Sequence, residues 1–445
     1  MRLSGLLLAA LALAACSPGA PVRPACPAGK LCLELGNQAD PVSLDPQKIT
    51  GTAEDRIVGD LQTGLTQADA EGRPIPGVAA SWETSPDGKT WTFHLREAKW
   101  SDGAPVTADD FVFALRRLLT PATGAQSASL MYVIQNAEAV NAGRLSPSAL
   151  GVRAIDPRTL EIRLIHPAPY LPELAKHQTL YPLPRHVVER WGEAWTRPAH
   201  YVGDGPFKLV EWRLGDYLRV VRNPLFFDAA SVCPDRIDYV PTADTIAAER
   251  RVRRGELDAN DLIAANRVAF LRQSGQIPAY VRAHTYLGVY YLAFNTRDVA
   301  AFRDRRVRIA LSMSLDRDFV ADKLLRGVNQ PAYTFTPPGV ANYVPPRPPV
   351  WAAWALSRRQ AAARALLSQA GYGLANPLKV EIKQSNAANA QLITPSIQSD
   401  WSSVGVQASL VQEDGQIAYQ DYRLRNFQVA YASWIADYEI GRAHV

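Results

Sequence analysis

The chain has 445 residues, 47% of them hydrophobic and 20% charged. That length suits about three domains, and that balance is the globular average, which excludes a disordered chain, a fibre and a polytopic membrane protein. Lys and Arg outnumber Asp and Glu by 48 to 43, and because the basic residues are scattered among acidic ones, no nucleic-acid partner is expected.

The first 15 residues read as an export signal. Met1-Arg2 is a short positive region, and Leu6 to Leu13 is an apolar run too short to span a bilayer. Leu13-Ala14-Ala15-Cys16 then offers a small-residue cleavage site. A cysteine at that point resembles the bacterial lipobox, so residues 16–32 are expected to form a lipidated tether attached at Cys16. Ser17-Pro18-Gly19-Ala20-Pro21 supplies its flexible part, and several acyl chains would hold it on a membrane surface. The other reading is an ordinary cleaved signal with an incidental cysteine. Three cysteines follow in what should be an oxidising compartment. Cys26 and Cys32 are close enough for a small disulfide loop, leaving Cys233 over. A metal clip would need a His or second Cys pair nearby, and none is present.

Further along, residues 91–95 alternate as a strand does, residues 160–164 do the same, and 217–221 are strand-like. Over 107–119 a threonine cap, acids in the first turn, bases in the last and apolar helical spacing predict a helix. Helices are also predicted over 303–325 and 358–370, the second stopped by Gly371. Gly203-Asp204-Gly205-Pro206 lacks the lysine of a phosphate loop and reads as a tight turn. Residues 337–349 are a proline-rich excursion that favours extended backbone. Residues 439–445 look like a translated sequencing adapter and are expected not to be native, so His444 receives no role. Mixed strands and helices throughout mean an α/β or α+β fold.

No nucleophile elbow, paired metal ligands or phosphate loop is present. The histidines at 94, 166, 177, 186, 200 and 284 are dispersed and read as surface or hydrogen-bonded structural residues. No metal or cofactor is expected, and a binding protein is favoured over an enzyme.

Several segments together carry a resemblance. Ser43-Leu44-Asp45-Pro46, residues 60–65, Pro76-Gly77-Val78-Ala79-Ala80-Ser81-Trp82, residues 87–96 and residues 99–111 occur in the order found in bacterial oligopeptide-binding proteins. Residues 205–209, Gly255-Glu256-Leu257-Asp258, Phe294-Asn295, residues 306–311, Asp316-Arg317 and Trp434-Ile435-Ala436-Asp437-Tyr438 continue it. The chain therefore resembles the family 5 extracellular solute-binding receptors of peptide ABC importers over roughly residues 35–438.

The resemblance implies a type II periplasmic-binding-protein fold of three lobes: residues 33–62 and 183–287 in lobe I, 63–182 in lobe II, and 288–438 in lobe III. Family members continue beyond this point, so lobe III is expected to be incomplete and the chain to fold poorly or in part. It also implies a monomeric receptor in the periplasm or cell envelope, held to a membrane by its lipid. Such a receptor captures an oligopeptide between lobes and delivers it to a permease and its ATPase. In the Trp-x-x-Asp-Tyr motif, Asp437 would pair with the peptide's α-ammonium, and Trp434 would wall a side-chain pocket. Backbone contacts are expected from Ser433 to Ile435 and from Lys48 to Thr52, which includes Thr50 and Gly51. Of Tyr286, Tyr290 and Tyr291, the last is the preferred ligand contact, with strand packing as the alternative, and Asn295 is expected to be structural.

Some positions depart from the family pattern. Thr50 stands where relatives carry a Glu, Ser127 where they carry a pocket Tyr, and Tyr431 where they carry an Arg. Gly288 and Ile435 stand together where some relatives have a disulfide. A preference for longer or less charged peptides follows. Other readings are a receptor for a murein peptide, an opine or a metal chelate, or a surface hydrolase or chaperone.

Overall fold

Among the described residues the strands are short, and they gather into four separate sheets. The computed structural model describes residues 25–275, 281, 287–338, 340 and 343–435. The export signal, Cys16, His284, Tyr286, Asp437, Tyr438 and the tail lie outside the described residues.

In chain order the strands are β1 (Cys32–Gly36), β2 (Thr66–Ala68), β3 (Pro74–Pro76), β4 (Ala79–Thr84), β5 (Thr90–Leu95), β6 (Val152–Asp156), β7 (Thr159–Arg163), β8 (Phe207–Arg213), β9 (Tyr217–Arg222), β10 (Arg236–Val240), β11 (Ala259–Asn260), β12 (Gly288–Phe294), β13 (Lys379–Ser385), β14 (Gln407–Glu413) and β15 (Val429–Ile435). One sheet, ordered β11-β1-β10-β9-β8, joins the start of the chain to residues 207–260. A second, β4-β5-β7-β6, and the small β2-β3 ribbon are drawn from the stretch between. The third, β12-β15-β13-β14, uses only later residues. The chain is thus an α/β protein, and its interleaved stretches fit the type II periplasmic-binding fold that the resemblance implies.

The cores follow the sheets. One packs Leu65 through Leu180, another Leu44 through Tyr239, and a third Phe302 through Tyr431. Ala114, on the helix Ala108–Leu119, enters the core that also holds Leu44 and Tyr239, so the first two bodies share side chains. Arg117 on the same helix reinforces the seam, its guanidinium 2.7 Å from both Asp45 Oδ2 and Gln47 Oε1.

Local chemistry explains the helix ends. Thr107 and Asp110 form a reciprocal capping box at the start of Ala108–Leu119. The helix Leu356–Gln369 stops before Gly371, whose φ of +88° suits a residue without Cβ. The single helix expected over 303–325 is instead two, Arg305–Met313 and a π-helical Phe319–Leu324. The break falls where side chains bond the backbone: Ser314 Oγ donates to the Leu311 carbonyl, and Asp316 Oδ1 accepts from Phe319 N–H.

Gly203-Asp204-Gly205-Pro206 is not a tight turn. Its residues run against the end of the helix Thr52–Leu61, where a Cβ on Gly203 would lie 2.0 Å from the Leu61 carbonyl oxygen and one on Gly205 would lie 2.5 Å from Gln62 N. Glycine is needed for close approach, not for positive φ. Asp204 Oδ1 accepts from Thr63 N–H at 3.0 Å, so this motif clasps the chain as it leaves the first sheet's body for the second. A disulfide joins Cys26 to Cys32 at the start of β1, and the Cys233 thiol is free and exposed.

Candidate functional site

Strand β15 carries the residues on which the sequence reading depends. It pairs antiparallel with β12 along its whole length, Gly288 opposite Ile435, Val289 opposite Trp434 and Tyr291 opposite Ala432. Gly288 and Ile435 are therefore direct cross-strand neighbours. The ladder continues as Asn295 N–H donates to the Gln428 carbonyl at 2.9 Å. Because bonded pairs alternate in an antiparallel ladder, Ala430, Ala432 and Trp434 direct their main-chain groups at β12. Val429, Tyr431, Ser433 and Ile435 direct theirs the opposite way.

On that opposite edge β13 meets only Val429 and Ala430. The next outward carbonyl, that of Tyr431, accepts from the Tyr422 hydroxyl at 3.0 Å. Beyond it, the N–H and C=O of Ser433 have no strand beside them among the described residues. A short length of unpaired edge is a template for a further strand.

Side chains alternate across β12 and β15. Tyr290 and Tyr431 lie on the face covered by the helices, with near-parallel rings 5.9 Å apart. The Tyr290 hydroxyl accepts from Asn389 Nδ2, and Tyr431 is buried. Tyr431 is thus a core ring. Tyr291 and Trp434 take the other face, where Phe335 lies over both. Its ring is 5.6 Å from Trp434 at an interplanar angle of 24° and 5.1 Å from Tyr291 nearly edge-on. Burial pushes the Tyr291 hydroxyl above its ordinary value, which keeps it a proton donor at neutral pH.

Asn295 closes the far end of the strand pair. Its Nδ2 donates to the carbonyls of Arg425 and Phe427, and its Oδ1 accepts from Arg297 and Asp298 N–H. These bonds hold the turn into β15.

The earlier segment lies on the approach to the helix Thr52–Leu61. Lys48 pairs with Glu193 at 2.6 Å, Ile49 is buried, and Thr50 is exposed. Gly51 is the helix N-cap, with Glu54 Oε2 occupying the space where its Cβ would stand. Thr52 Oγ1 reaches Gln38 Oε1 at 3.5 Å. Among the described residues, no hydrogen bond or ion pair joins residues 48–52 to 433–435. Asp437 lies outside the described residues. Phe335 is the ring that sequence reasoning missed: it sits in Ala332-Tyr333-Thr334-Phe335-Thr336-Pro337-Pro338, without periodicity to mark it. Among the described residues no group of three or more His, Cys, Asp or Glu side chains is placed to hold a metal ion.

Residues 73–440 match the family model described as bacterial extracellular solute-binding proteins, family 5 Middle. The periplasmic oligopeptide-binding protein OppA of Salmonella typhimurium is 36% identical over 420 residues, which cover 92% of this chain and 76% of that protein. The structure of Haemophilus influenzae OppA in complex with the peptide RPPGFSPFR superposes with a TM-score of 0.85 at 35% identity, covering 93% of this chain and 81% of that one. An unliganded open form of the murein tripeptide-binding protein MppA, also 35% identical and covering 93% of this chain and 80% of that one, gives 0.66. With the family model matched over most of its length, this chain belongs to the family 5 bacterial extracellular solute-binding proteins.

Proposed function

We propose that this chain is the receptor of an ABC importer, capturing oligopeptides outside the cytoplasm and delivering them to a membrane permease and its ATPase. The observation that carries this reading is the edge of β15 at Ser433, which has no strand beside it among the described residues, next to Trp434. An extended peptide offers the same main-chain donors and acceptors whatever its side chains, so adding it as a strand there grips many sequences. The similarity to proteins named as oligopeptide-binding supports the ligand class. The better superposition on a peptide complex than on an unliganded open form supports capture by lobe closure.

In this reading residues 33–62 with 183–287, 63–182, and 288–438 are lobes I, II and III, a division supported by the sheets each stretch builds. Ser433 and Ile435 pair with the peptide main chain, and Trp434 and Tyr291 face its side chains. Thr50, Gly51 and Thr52 meet it from lobe I, and Asp437 holds the α-ammonium by a charge-assisted bond. Periplasmic residence and a lipid anchor at Cys16 complete the proposal, which assigns the chain no chemistry of its own.

Calorimetry with a free-amine peptide and its N-acetylated form tests it. Wild type is expected to bind the free amine at least tenfold more tightly. Asp437→Ala should abolish the difference while leaving the acetylated peptide unchanged. Equal binding of both peptides by both proteins overturns the role of Asp437, and a non-peptide ligand retained through gentle purification and identified by mass spectrometry overturns the ligand class.

A further inference from the structure

We infer that Phe335 sets the side-chain preference of the pocket beside the open edge of β15, favouring an aromatic or large apolar residue in the bound peptide. The inference rests on the peptide reading above and names the pocket it would use. A guest strand hydrogen-bonded to Ser433 puts side chains alternately on the two faces of the sheet. The guest residue beside Trp434 directs its side chain to Trp434's face. There it meets Trp434, whose ring is stacked with that of Phe335.

Phe335 is held for this position from outside the strand pair. Arg317 Nε donates to the Ala332 carbonyl at 2.9 Å, and its guanidinium lies 5.0 Å over the Tyr333 ring. Two residues on, Thr334 Oγ1 bonds the Thr336 carbonyl, and Pro337-Pro338 stiffen the exit. Tyr291 meets Phe335 nearly edge-on, so the ring is fixed at the loop and on two sides. Yet Phe335 remains 39% exposed. A large ring fixed this firmly and left partly in water beside an unpaired strand edge offers a ligand ring both a stacking partner and apolar area to bury.

The test is calorimetry of the whole chain with a set of alanine pentapeptides carrying one phenylalanine at each position in turn. Wild type is expected to prefer phenylalanine at one position by about tenfold over the all-alanine peptide. In Phe335→Ala that preference should fall to about twofold or less, the phenylalanine peptide losing more affinity than the all-alanine peptide, and Phe335→Tyr should restore it. Loss of affinity by the same factor for every peptide assigns Phe335 a loop-holding role and overturns the inference, as does a preference that survives in Phe335→Ala. Those outcomes leave peptide capture standing, whereas a wild-type chain that binds none of the peptides overturns capture and preference together. Thermal melts of each variant establish that it is folded, and Phe335→Leu serves if the alanine variant is not.

Discussion

The hydroxyl of Tyr422, on the helix Gly415–Leu424, donates to the carbonyl of Tyr431 at 3.0 Å. This bond occupies the main-chain acceptor of β15 next to the stretch that has no strand beside it among the described residues. Burial, reinforced by Tyr419 and Glu413, pushes the Tyr422 hydroxyl well above its ordinary value, so it stays a donor across the neutral range. Tyr422→Phe is expected to leave the Tyr431 carbonyl without its donor and cost about 1–3 kcal/mol, read as a lower urea midpoint. An unchanged midpoint would mean the carbonyl recruits water at no cost.

Arg219 and Asp238 form a bidentate pair across β9 and β10, both N–O distances being 2.7 Å and the Asp238 side chain fully buried. Arg219→Ala should cost about 3–5 kcal/mol because it leaves a buried carboxylate without its main partner. Replacing both residues by leucine should cost less than the single change. Equal losses for the single and double variants would show that the pair itself, rather than the uncompensated charge, is what matters.

Asp204 and His177 give stability two opposed pH dependences. Burial pushes the Asp204 carboxyl from its ordinary 3.8 up to about 8. Its contribution is therefore complete below about pH 4 and is lost as pH rises toward 8. Burial lowers His177 from 6.5 to about 4, so its contribution is complete above pH 6.5 and is lost as pH falls toward 4. Between about pH 4 and 6.5 the two slopes offset each other; between 6.5 and 8 only that of Asp204 acts. Denaturant midpoints should fall across the upper window in wild type and stay level in Asp204→Asn. A level wild-type curve there would mean that Asp204 is ionised in the fold.

Two glycines near the same helix should respond in opposite directions to alanine. At Gly203 a Cβ would meet the Leu61 carbonyl oxygen at 2.0 Å, and backbone cannot move aside cheaply. A loss of about 1–3 kcal/mol is expected. Gly59 lies inside the helix Thr52–Leu61 with open space at its Cβ, so Gly59→Ala should gain about 0.5–1 kcal/mol. Thermal melts of the two variants compare them directly, and a stable Gly203→Ala would mean the clasp on Leu61 is looser than its geometry implies.

Much of the molecule was legible in the sequence because its causes are local. The capping box of Thr107 and Asp110 and the stop at Gly371 each depend on residues within one turn of one another. So do the alternation that marks β5 and β7 and the strand-like composition of β9. Where a side chain can bond its own backbone the same reading failed, as at Ser314 and Asp316, which divide an apolar pattern that looked continuous. It failed again at Gly203 and Gly205, whose reason is a helix end some 140 residues earlier.

The sequence by itself determined the strand and helix periods and the family, since the motifs that carry the resemblance are linear. Only the tertiary structure decided which of two adjacent tyrosines, Tyr290 or Tyr291, faces away from the core, because that choice follows from the register of β12 against β15. Only it decided that β13 stops pairing at Ala430 and that a loop a hundred residues upstream lays Phe335 on Trp434. Local preferences act within a few residues and are written into them. Pairing between distant segments is settled by whichever closure buries the most apolar surface and leaves the fewest main-chain groups without partners, and that sum is taken over the whole fold.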